Sequence, residues 1–536
     1  MRNSTKQKKE KKGGDLMISL KNVSKSFDEQ VVLKNVNLLV FEHEFIALVG
    51  RNGSGKSTLL KIMAGILEPD EGSINMLSDL KVAYFPQEIP QKDQKKTTKE
   101  LIASVTGSEP EKIYGGIADL LGKLKLSKEK LDCRVETLSG GEKSKVMLVL
   151  ILKSSADIFL LDEPTNNLDL QGLVILENFI MSSSVGFLIV SHDRKFLERI
   201  VVGIIEMNEE THNVEIYSSC TYSKYLEERK KKEEKELTVY QDYINEKRRV
   251  ETAIRERKQE AQRIQKGPNV KRDHDKYVVG FKKDRSRKIV SQASSLEKRL
   301  ERLEEIEKQK FHLPLNLEFR FLERSGDIVF RLESAEIKHD NFQLGPINLE
   351  IDYGNRIAIL GPNGGGKSTF LQILIGMKQP DRGFIHCGSR VKIGYLPQEN
   401  IFEQKYSVLK HFLEQTDLNE TNARRILNRF GFSADDVKRT VEKLSPGERS
   451  RLVLATLMAK ETNCLILDEP SNHLDPEALD RLETALKDFP GTIIMVSHDR
   501  HLIDQIGITK TYLMENGKLV PLKDYHDYEN MVLSEK

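Results

Sequence analysis

Two glycine-rich loops in this sequence combine the residue types that bind nucleotide phosphates. The first, Gly50–Ser57, follows the apolar run Phe45–Val49, which is typical of a buried strand, and the second is Gly361–Ser368. In such a P-loop the glycines let backbone N–H groups close around phosphate, the lysine reaches the β- and γ-phosphates, and the serine hydroxyl can ligate Mg²⁺. The candidate phosphate-binding residues are Gly50, Asn52, Gly53, Ser54, Gly55, Lys56, Ser57, Thr58, Gly361, Asn363, Gly364, Gly365, Gly366, Lys367, Ser368 and Thr369.

Acidic residues and a histidine follow two further apolar runs. Asp162 and Glu163 come directly after Asp157–Leu161, and His192 follows Phe187–Val190. Any one of these residues alone is more often a strand-end cap than a catalytic group, but their occurrence on neighbouring strand ends of a P-loop sheet favours catalysis. We expect Asp162 to lie near Mg²⁺, Glu163 to polarise the attacking water and His192 to contact the γ-phosphate.

The same residues recur at constant offsets, which indicates a duplicated domain. Gly50 and Gln87 have counterparts 311 residues later, whereas Ser139, Asp162 and His192 have counterparts 306 residues later. One five-residue difference between the Gln and Ser positions therefore separates two copies. The second-copy candidates are Asp468 near Mg²⁺, Glu469 as the residue that polarises water, and His498 at the γ-phosphate.

Between the copies lies an unusually charged insert. Residues 224–310 contain 27 Lys and Arg against 18 Asp and Glu, while the whole chain carries a net charge of only +2. Ile289, Ala293, Leu296, Leu300 and Leu303 form a heptad seam, and Tyr240, Ile244, Val250, Ile254, Ala261 and Ile264 lie roughly on one helical face. Because Gly267-Pro268-Asn269 interrupts the pattern, the insert reads as an antiparallel helical hairpin with a basic tip near residues 265–288.

The tip offers residue types suited to RNA. Aromatic side chains among basic ones can stack on splayed bases while the charges contact phosphate. The alternative interpretations are packing of the two aromatic rings across the hairpin, and a plain solvated spacer. The candidate RNA-contacting residues are Lys271, Arg272, Tyr277, Phe281, Lys282, Lys283, Arg285 and Arg287.

Composition sets the broad class. With 536 residues, 38% of them hydrophobic, and a mean hydropathy of −0.46, the chain reads as several globular domains. No apolar run approaches the roughly 18 residues that a membrane-spanning helix needs. Four scattered cysteines argue against a disulfide framework or a zinc site, so we expect a cytoplasmic protein.

The motifs around the candidate residues resemble those of ATP-binding cassette (ABC) ATPases. Leu138-Ser-Gly-Gly-Glu142 resembles the signature, Gln87 the Q-loop glutamine, and Leu168-Asp169 the D-loop, with second copies at Leu444-Ser-Pro-Gly-Glu448, Gln398 and Leu474-Asp475. This resemblance implies that Gln87 and Gln398 lie near ATP and Mg²⁺. It further implies that ATP is contacted by Ser139, Gly140, Gly141, Ser445 and Gly447.

Two cassettes, no membrane domain and a charged helical linker are similar to the ABC-F family. The resemblance implies an α/β fold with two P-loop ABC domains in tandem, joined by a long helical hairpin. It also implies that a monomer closes head to tail on two ATP molecules with Mg²⁺. Such a protein would associate with the 70S ribosome, where the linker enters the E-site region and its tip approaches the P-site tRNA and the 23S rRNA of the peptidyl transferase centre.

Some residues depart from the family pattern. Pro446 replaces the first signature glycine and removes a backbone donor, so the two ATP sites need not be equivalent. Phe27, in the connection between the predicted strands Ile18–Val23 and Val36–Phe41, fits the aromatic residue that stacks on adenine. In the second copy Lys338 holds the equivalent place, where His339 or Phe342 could substitute. The Gln87–Ser139 interval leaves no room for a large arm insertion, which favours the antibiotic-resistance branch.

The expected domains are a basic tail (1–16), a first ABC domain (17–223), the linker (224–310) and a second ABC domain (311–536). The tail is either a basic arm or leader sequence that is not translated, with Met17 as the start. Three functions compete: a ribosome-protection factor giving resistance to drugs at the peptidyl transferase centre, a housekeeping factor that relieves stalled ribosomes, and the ATPase part of a transporter. The last leaves the basic hairpin unexplained.

Overall fold

The computed structural model describes residues 15–28, 30–51, 53–208, 211–265, 288–292, 294–300, 319–339, 342–398, 406–471, 474 and 476–534. The chain forms two compact units. One unit combines Met1–Tyr222 with Asn316–Lys536 and so contains both P-loops, and the other is Ser223–Leu315. Within the first unit, we call the described residues before Ser223 the first half and those after Leu315 the second half.

The first half contains two sheets. A six-stranded sheet has the order β5-β6-β7-β3-β8-β9, in which only β8 and β9 pair antiparallel. Its central strands are apolar and buried, as expected for parallel strands covered on both faces. An antiparallel sheet has the order β2-β1-β4. The strands are β1 (Leu16–Phe27), β2 (Gln30–Phe41), β3 (Phe45–Val49), β4 (Glu71–Met76), β5 (Val82–Phe85), β6 (Ile158–Asp162), β7 (Gly186–Val190), β8 (Gly203–Asn208) and β9 (Asn213–Tyr217).

The helices of the first half connect these strands. Neighbouring parallel strands need crossover connections. The first P-loop begins one of them, between β3 and the helix that follows it. The helices are α1 (Lys56–Met63), α2 (Gln91–Gln94), α3 (Thr98–Thr106), α4 (Ile113–Lys123), α5 (Gly140–Lys153), α6 (Leu170–Ser182) and α7 (Arg194–Ile200).

The second half repeats this architecture. Its sheets have the orders β14-β15-β16-β12-β17-β18 and β11-β10-β13, which match the first half strand for strand. The strands are β10 (Ile328–His339), β11 (Phe342–Asp352), β12 (Arg356–Leu360), β13 (Arg382–Cys387), β14 (Ile393–Leu396), β15 (Cys464–Asp468), β16 (Thr492–Val496), β17 (Lys510–Glu515) and β18 (Lys518–Leu522). The expected α/β fold with two P-loop domains in tandem is confirmed.

The helices of the second half follow the order of α1 and α3–α7, with a further helix at the end, and among the described residues α2 has no counterpart. The linker helices, α8 (Tyr222–Gln265) and α9 (288–292 and 294–300), precede them in the chain. The second-half helices are α10 (Lys367–Leu374), α11 (Val408–Gln415), α12 (Glu420–Arg429), α13 (Pro446–Ala459), α14 (Pro476–Asp488), α15 (Arg500–Gln505) and α16 (Tyr525–Ser534).

The apolar core of the second half continues into the first. Leu170 and Val174 of α6 belong to the same buried cluster as Phe412, Leu486 and Tyr525 of the second half. Apolar burial is worth roughly 25 cal/mol per Å² of surface removed from water, so this shared cluster stabilises the contact between the halves. One apolar cluster of the first unit therefore crosses its internal duplication, while two others lie within the first half and within the second half.

The linker unit contains α8 (Tyr222–Gln265, 44 residues), and α9, the helical residues 288–292 and 294–300. At about 1.5 Å per residue, α8 is about 66 Å long. Two ion pairs join these helices, Arg299 Nη2 to Glu246 Oε1 at 2.6 Å and Lys258 Nζ to Glu297 Oε1 at 2.7 Å. The turn at residues 267–269 lies outside the described residues. Among the helices that the structure describes, none is long and apolar enough to cross a membrane.

Candidate ATP sites

Both P-loops hold their lysine in the same way. Lys56 Nζ donates to the carbonyl oxygens of Gly50 and Arg51 at 2.8 and 2.9 Å, and Lys367 Nζ donates to those of Gly361 and Pro362 at 2.7 and 3.0 Å. Each ammonium group is therefore held inside its own loop. Lys56 and Lys367 are buried, and burial lowers the pKa of Lys367 against the opposing carboxylates around it.

A glycine at the start of each P-loop helix lies against the three-stranded antiparallel sheet of its half. Gly55 has φ 100° and Gly366 has φ 103°, values that favour glycine. A Cβ atom on Gly366 would lie 2.7 Å from the ring of Phe342, whereas one on Gly55 would meet Val32 at 2.9 Å. Phe342, one of the two adenine-stacking candidates of the second copy, thus contacts the second P-loop.

Phe27 occupies a different position from the one expected. The sequence places it in the connection between two strands, but it is the last residue of β1 and is paired with Gln30 of β2. Its ring is 47% exposed, with Lys25 Nζ 5.7 Å from its centroid. The hairpin extends the strand because β1 and β2 continue pairing to their ends. An exposed ring remains available for stacking.

The strand-end aspartates lie beside the P-loop serines. Burial raises the pKa of Asp162, which a hydrogen bond from Ser57 opposes, and Tyr84 Oη donates to Asp162 Oδ2 at 3.3 Å. Burial likewise raises the pKa of Asp468 against a hydrogen bond from Ser368. In both halves a serine hydroxyl and a carboxylate are therefore brought to one place at the carboxyl end of the sheet.

These oxygen donors fit Mg²⁺. Asp468 Oδ1 is buried and has no hydrogen-bond partner among the described residues. Within the described part of the chain, no group of three or more acidic, His or Cys side chains could hold a metal ion alone. Mg²⁺ is commonly held by one or two protein oxygens together with water and substrate phosphate, which matches this sparse donor set.

The two glutamate–histidine pairs have the same backbone but different electrostatics. Glu163 and Glu469 have φ of 54° and 51°, and each N–H donates to the carbonyl of the neighbouring strand end, Val190 or Val496. His192 Nε2 lies 3.0 Å from Glu163 Oε1, and His498 Nε2 lies 3.4 Å from Glu469 Oε1. The left-handed backbone turns both carboxyl groups towards their histidines.

The pKa shifts differ between the two glutamate–histidine pairs. Burial would raise the pKa of Glu163, but the neighbouring His192 and Lys56 hold it below its usual value. Burial raises the pKa of Glu469 although Lys367 opposes the shift, and burial together with Lys367 lowers that of His498. The pKa values of the two glutamates are therefore shifted in opposite directions, although the two pairs have the same backbone geometry.

Both signatures begin a helix as a capping box. Ser139 Oγ accepts from Glu142 N at 3.3 Å, and Glu142 Oε2 accepts from Ser139 N at 2.9 Å. Ser445 and Glu448 repeat these two bonds, at 3.3 and 2.7 Å, although the helix then starts with Pro446. Proline is tolerated at the first helical position because that N–H has no intrahelical acceptor. The departure in the signature therefore leaves the helix start intact.

The first signature lies against the second P-loop. Asn363 Nδ2 donates to the carbonyl of Asn167 at 2.8 Å, and Asn363 N donates to Asp169 Oδ2 at 3.3 Å. A Cβ atom on Gly141 would lie 2.5 Å from Asn363 Nδ2. One ATP site is consequently composite, with its P-loop from the second half and its signature and D-loop from the first.

A cavity of about 810 Å³ brings together many of the predicted residues from both halves. The first P-loop, Ser445 and Gly447 do not line it, among the residues that the structure describes. Asn52 lies outside those residues, as do all eight RNA-contact candidates of the linker tip. The predicted residues that line the cavity are Gln87, Ser139, Gly140, Gly141, Asp162, Glu163, His192, Asn363, Gly364, Gln398, Glu469 and His498.

Several residues at these sites were missed by sequence reasoning. Lys145 Nζ lies 3.2 Å from Asp169 Oδ2, and both side chains are almost fully buried. Tyr84 contacts Asp162, as described above, and its recurrence as Tyr395 at the duplication offset of 311 residues could have identified it. The Arg that follows each Ser-His-Asp sequence, Arg194 or Arg500, also recurs at the duplication offset of 306 residues and could have been found.

The comparisons with known proteins agree with this geometry. The ABC transporter family profile matches residues 33–166 and 344–472. ABC transporter F family member 2 of Arabidopsis thaliana is 31% identical, with 95% of this chain and 78% of the relative covered. The energy-dependent translational throttle protein EttA of Escherichia coli O6:H1 is 29% identical, covering 94% and 93%.

A solved structure supports the fold. The archaeal ribosome recycling factor aABCE1, in complex with a stalk protein, matches with a TM-score of 0.63 at 20% identity, over 96% of this chain and 92% of that one. At this identity the match concerns the tandem arrangement of the fold.

Paired P-loops, strand-end carboxylates and signatures define a tandem ATP-binding cassette ATPase, which binds ATP with Mg²⁺ and hydrolyses it. Within that class, the chain belongs to the ABC-F family. The two halves of the first unit are therefore its cassettes.

Proposed function

We propose that this protein is an ATP-hydrolysing, ribosome-binding factor of the cytoplasm whose linker acts near the P-site tRNA and the peptidyl transferase centre, protecting translation from drugs that bind there. The observation that carries the proposal is the linker itself. Its 87 residues, 224–310, hold 27 basic against 18 acidic side chains in a chain whose net charge is only +2. A concentrated positive charge favours a phosphate-rich partner such as RNA.

The linker's length supports this partner. Helix α8 alone has 44 residues, so it is about 66 Å long, which exceeds what a connection between two domains needs. A relative of similar length is named a translational throttle protein, which favours a role in translation. We propose the domain limits 17–223, 224–310 and 311–536 for the first cassette, linker and second cassette.

At the ATP sites we propose the following roles. The P-loop residues bind the phosphates of ATP, and the adenine stacks on Phe27 in the first cassette and on Phe342 in the second. Each signature contacts the ATP that is held by the opposite cassette. Asp162, Ser57 and Gln87, with Asp468, Ser368 and Gln398, hold Mg²⁺ directly or through water. Glu163 and Glu469 polarise the attacking water, and His192 and His498 contact the γ-phosphate, in keeping with their contacts to those glutamates.

A second candidate is a housekeeping translation factor that relieves stalled ribosomes, favoured by the name of the relative described above. The two candidates differ in when the protein is needed. We would compare growth of cells with and without the gene across a panel of peptidyl-transferase drugs. Resistance that depends on the gene supports protection, whereas a growth defect without drug and no change in susceptibility supports the housekeeping role.

The linker tip can be tested separately. Neutralising Lys282, Lys283 and Arg285 should weaken ribosome co-sedimentation most at low salt and make it less sensitive to added salt, because each lost phosphate contact reduces the number of counterions released on binding. Replacing Tyr277 and Phe281 by Ala should spare most of the affinity, because stacking contributes only about 1–3 kcal/mol per base, yet abolish protection. Basal ATPase activity should survive in both variants. Unchanged growth under drug in both variants would contradict a tip that acts on RNA.

A further inference from the structure

An arginine two residues after each catalytic-site histidine crosses to the opposite cassette. Arg194 of the first cassette places Nη1 3.3 Å from Glu483 Oε2 of the second. Arg500 of the second cassette places Nη2 2.5 Å from Glu177 Oε1 of the first. Because Glu177 and Glu483 are also 306 residues apart, the two contacts are copies of each other. The duplication has thus produced two reciprocal ion pairs between the cassettes, Arg194–Glu483 and Arg500–Glu177, which we call the ties.

Both ties are buried. The side chains of Arg194 and Arg500 are 6% and 1% exposed, and those of Glu483 and Glu177 are 9% and 4% exposed. A charge that is buried this completely is strongly disfavoured unless its partner stays in place. The two cassettes therefore cannot separate at this place without exposing or stranding charged groups.

Additional partners fix the arginines further. Arg194 Nη2 lies 2.6 Å from Asp480 Oδ1. Arg500 Nη1 lies 3.3 Å from Glu529 Oε1 of α16, and Arg199 of the first cassette bridges Glu177 and Glu529 at 2.8 and 2.7 Å. We refer to Glu177, Arg194, Arg199, Glu483, Arg500 and Glu529 as the ionic cluster.

The ionic cluster is connected to both histidines through short, capped helices. Asp193 Oδ1 accepts from Phe196 N at 2.9 Å and so caps α7, which begins with Arg194. Asp499 Oδ1 accepts from Leu502 N at 3.0 Å and caps α15, which begins with Arg500. His192 and His498 immediately precede these caps. A shift of the opposite cassette would therefore act on the helix that directly follows each histidine.

We propose that Arg194 and Arg500 are positioning residues for ATP hydrolysis, each tying the histidine loop of its own cassette to a helix of the other, so that the two ATP sites work cooperatively. The proposal rests on the roles proposed above for the glutamates and histidines. It assigns no contact with ATP to either arginine. It predicts that replacing these arginines abolishes cooperativity between the two ATP sites while ATP binding is retained.

The test is a double-mutant cycle on the ion pair between Arg194 and Glu483. We would measure steady-state ATP hydrolysis against ATP concentration, and nucleotide binding by calorimetry, for Arg194→Gln, Glu483→Gln and the double variant. Two coupled sites allow a Hill coefficient between about 1 and 2 in the unmodified protein. Each single variant should reduce the coefficient to about 1 and lower kcat about tenfold, equivalent to about 1.4 kcal/mol of barrier. The double variant should be no worse than either single variant.

Two further variants separate positioning from stability. Arg194→Lys keeps the charge but loses the two-pronged geometry, so cooperativity should be partly retained. Lys125→Ala removes an exposed ion pair between the cassettes, with Glu515 at 2.6 Å, and should leave the Hill coefficient unchanged. The melting temperature of every variant reports its stability and shows that it is folded at the assay temperature. If Arg194→Gln only lowers the melting temperature and keeps cooperativity, the arginine has a structural role and the proposal is wrong.

A Hill coefficient of 1 in the unmodified protein would also contradict the proposal. Failure of the underlying site assignment would look different. In that case Glu163→Gln with Glu469→Gln would leave turnover intact, whatever the Arg194 variants did. The two hypotheses can therefore fail independently.

Discussion

The carboxylates of the ionic cluster and the oxygen atoms of the candidate ATP sites differ in how completely they are hydrogen-bonded. In the cluster, both carboxylate oxygens of Glu177, Glu483 and Glu529 have a partner within 3.3 Å. At the ATP sites, Ser54 Oγ and Asp468 Oδ1 are buried without a hydrogen-bond partner among the described residues. Because unpaired buried polar groups are costly, they need an explanation, and a bound ligand supplies one. The carboxylates that join the cassettes are therefore fully paired, although Arg500 Nε in the same cluster has no hydrogen-bond partner among the described residues, whereas at the candidate ATP sites the unpaired atoms include oxygens that ATP or Mg²⁺ could contact.

The largest expected effect is at the ATP sites. Replacing both Glu163 and Glu469 by Gln should reduce turnover by roughly 10²- to 10⁴-fold, because the groups that polarise water are lost. Both P-loops are intact in this variant, so ATP binding should persist. Phosphate release and equilibrium nucleotide binding would be measured together, and undiminished turnover would remove these glutamates from the mechanism.

The next largest effect is on stability at the ionic cluster. Glu177→Gln deprives Arg500 and Arg199 of their shared carboxylate, and breaking a buried ion pair costs roughly 3–5 kcal/mol. The free energy of unfolding should fall by that order in denaturant titrations. ATP affinity should change little, because Glu177 lies on α6 and lines neither P-loop. A stability loss below about 1 kcal/mol would show that the cluster is not a structural joint.

Asp499 gives a smaller, pH-dependent effect. Burial and the nearby Asp193 and Glu483, opposed by Arg194, raise its pKa to about 6 from an ordinary 3.8. The folded protein binds this proton more tightly than the unfolded chain, so ionisation of Asp499 costs stability above pH 6, and the cost disappears below about pH 4. Asp499→Asn keeps the cap on α15 and should stabilise the protein at pH 7.5, on the order of 1–3 kcal/mol.

The readout for Asp499→Asn is melting temperature as a function of pH. The difference from the unmodified protein should be positive at pH 7.5 and shrink towards zero as the pH approaches 4. A difference that is constant across this range would mean that the raised pKa of Asp499 is not its cause.

The smallest effect belongs to the exposed contact between the cassettes. Lys125 and Glu515 are 43% and 36% exposed, so their ion pair should be worth no more than about 0.5 kcal/mol. Lys125→Ala should therefore barely change the free energy of unfolding, and the small effect should vanish at high salt. A loss as large as that of Glu177→Gln would show that burial does not distinguish the two kinds of contact.

Sequence reasoning succeeded where local pattern determines structure. The strand Phe45–Val49 has the predicted bounds, and its P-loop leads into α1, because an apolar run followed by glycines restricts the local backbone strongly. The carboxylates of Asp162 and Asp468 lie by the P-loop serines because parallel strands end at one edge of the sheet.

Contacts between distant segments could not be predicted. The repeat of Arg194 as Arg500 is visible in the sequence, but the choice of Glu483 and Glu177 as partners depends on how the cassettes meet. The helical face of α8 was also predicted imprecisely. Val250, Ile254 and Ala261 are buried as expected, whereas Tyr243 is buried instead of the neighbouring Ile244. So charged a helix has too few apolar residues to define one face.

The most direct test of the proposed function is co-sedimentation with 70S ribosomes. We would compare the unmodified protein with the Glu163→Gln, Glu469→Gln double variant, each with ATP, with ADP and without nucleotide. If ATP closes the cassettes on two nucleotides and hydrolysis releases them, the double variant with ATP should sediment with ribosomes far more than the unmodified protein or either protein with ADP. Equal, low sedimentation of the double variant with and without ATP would contradict an ATP-gated, ribosome-binding factor.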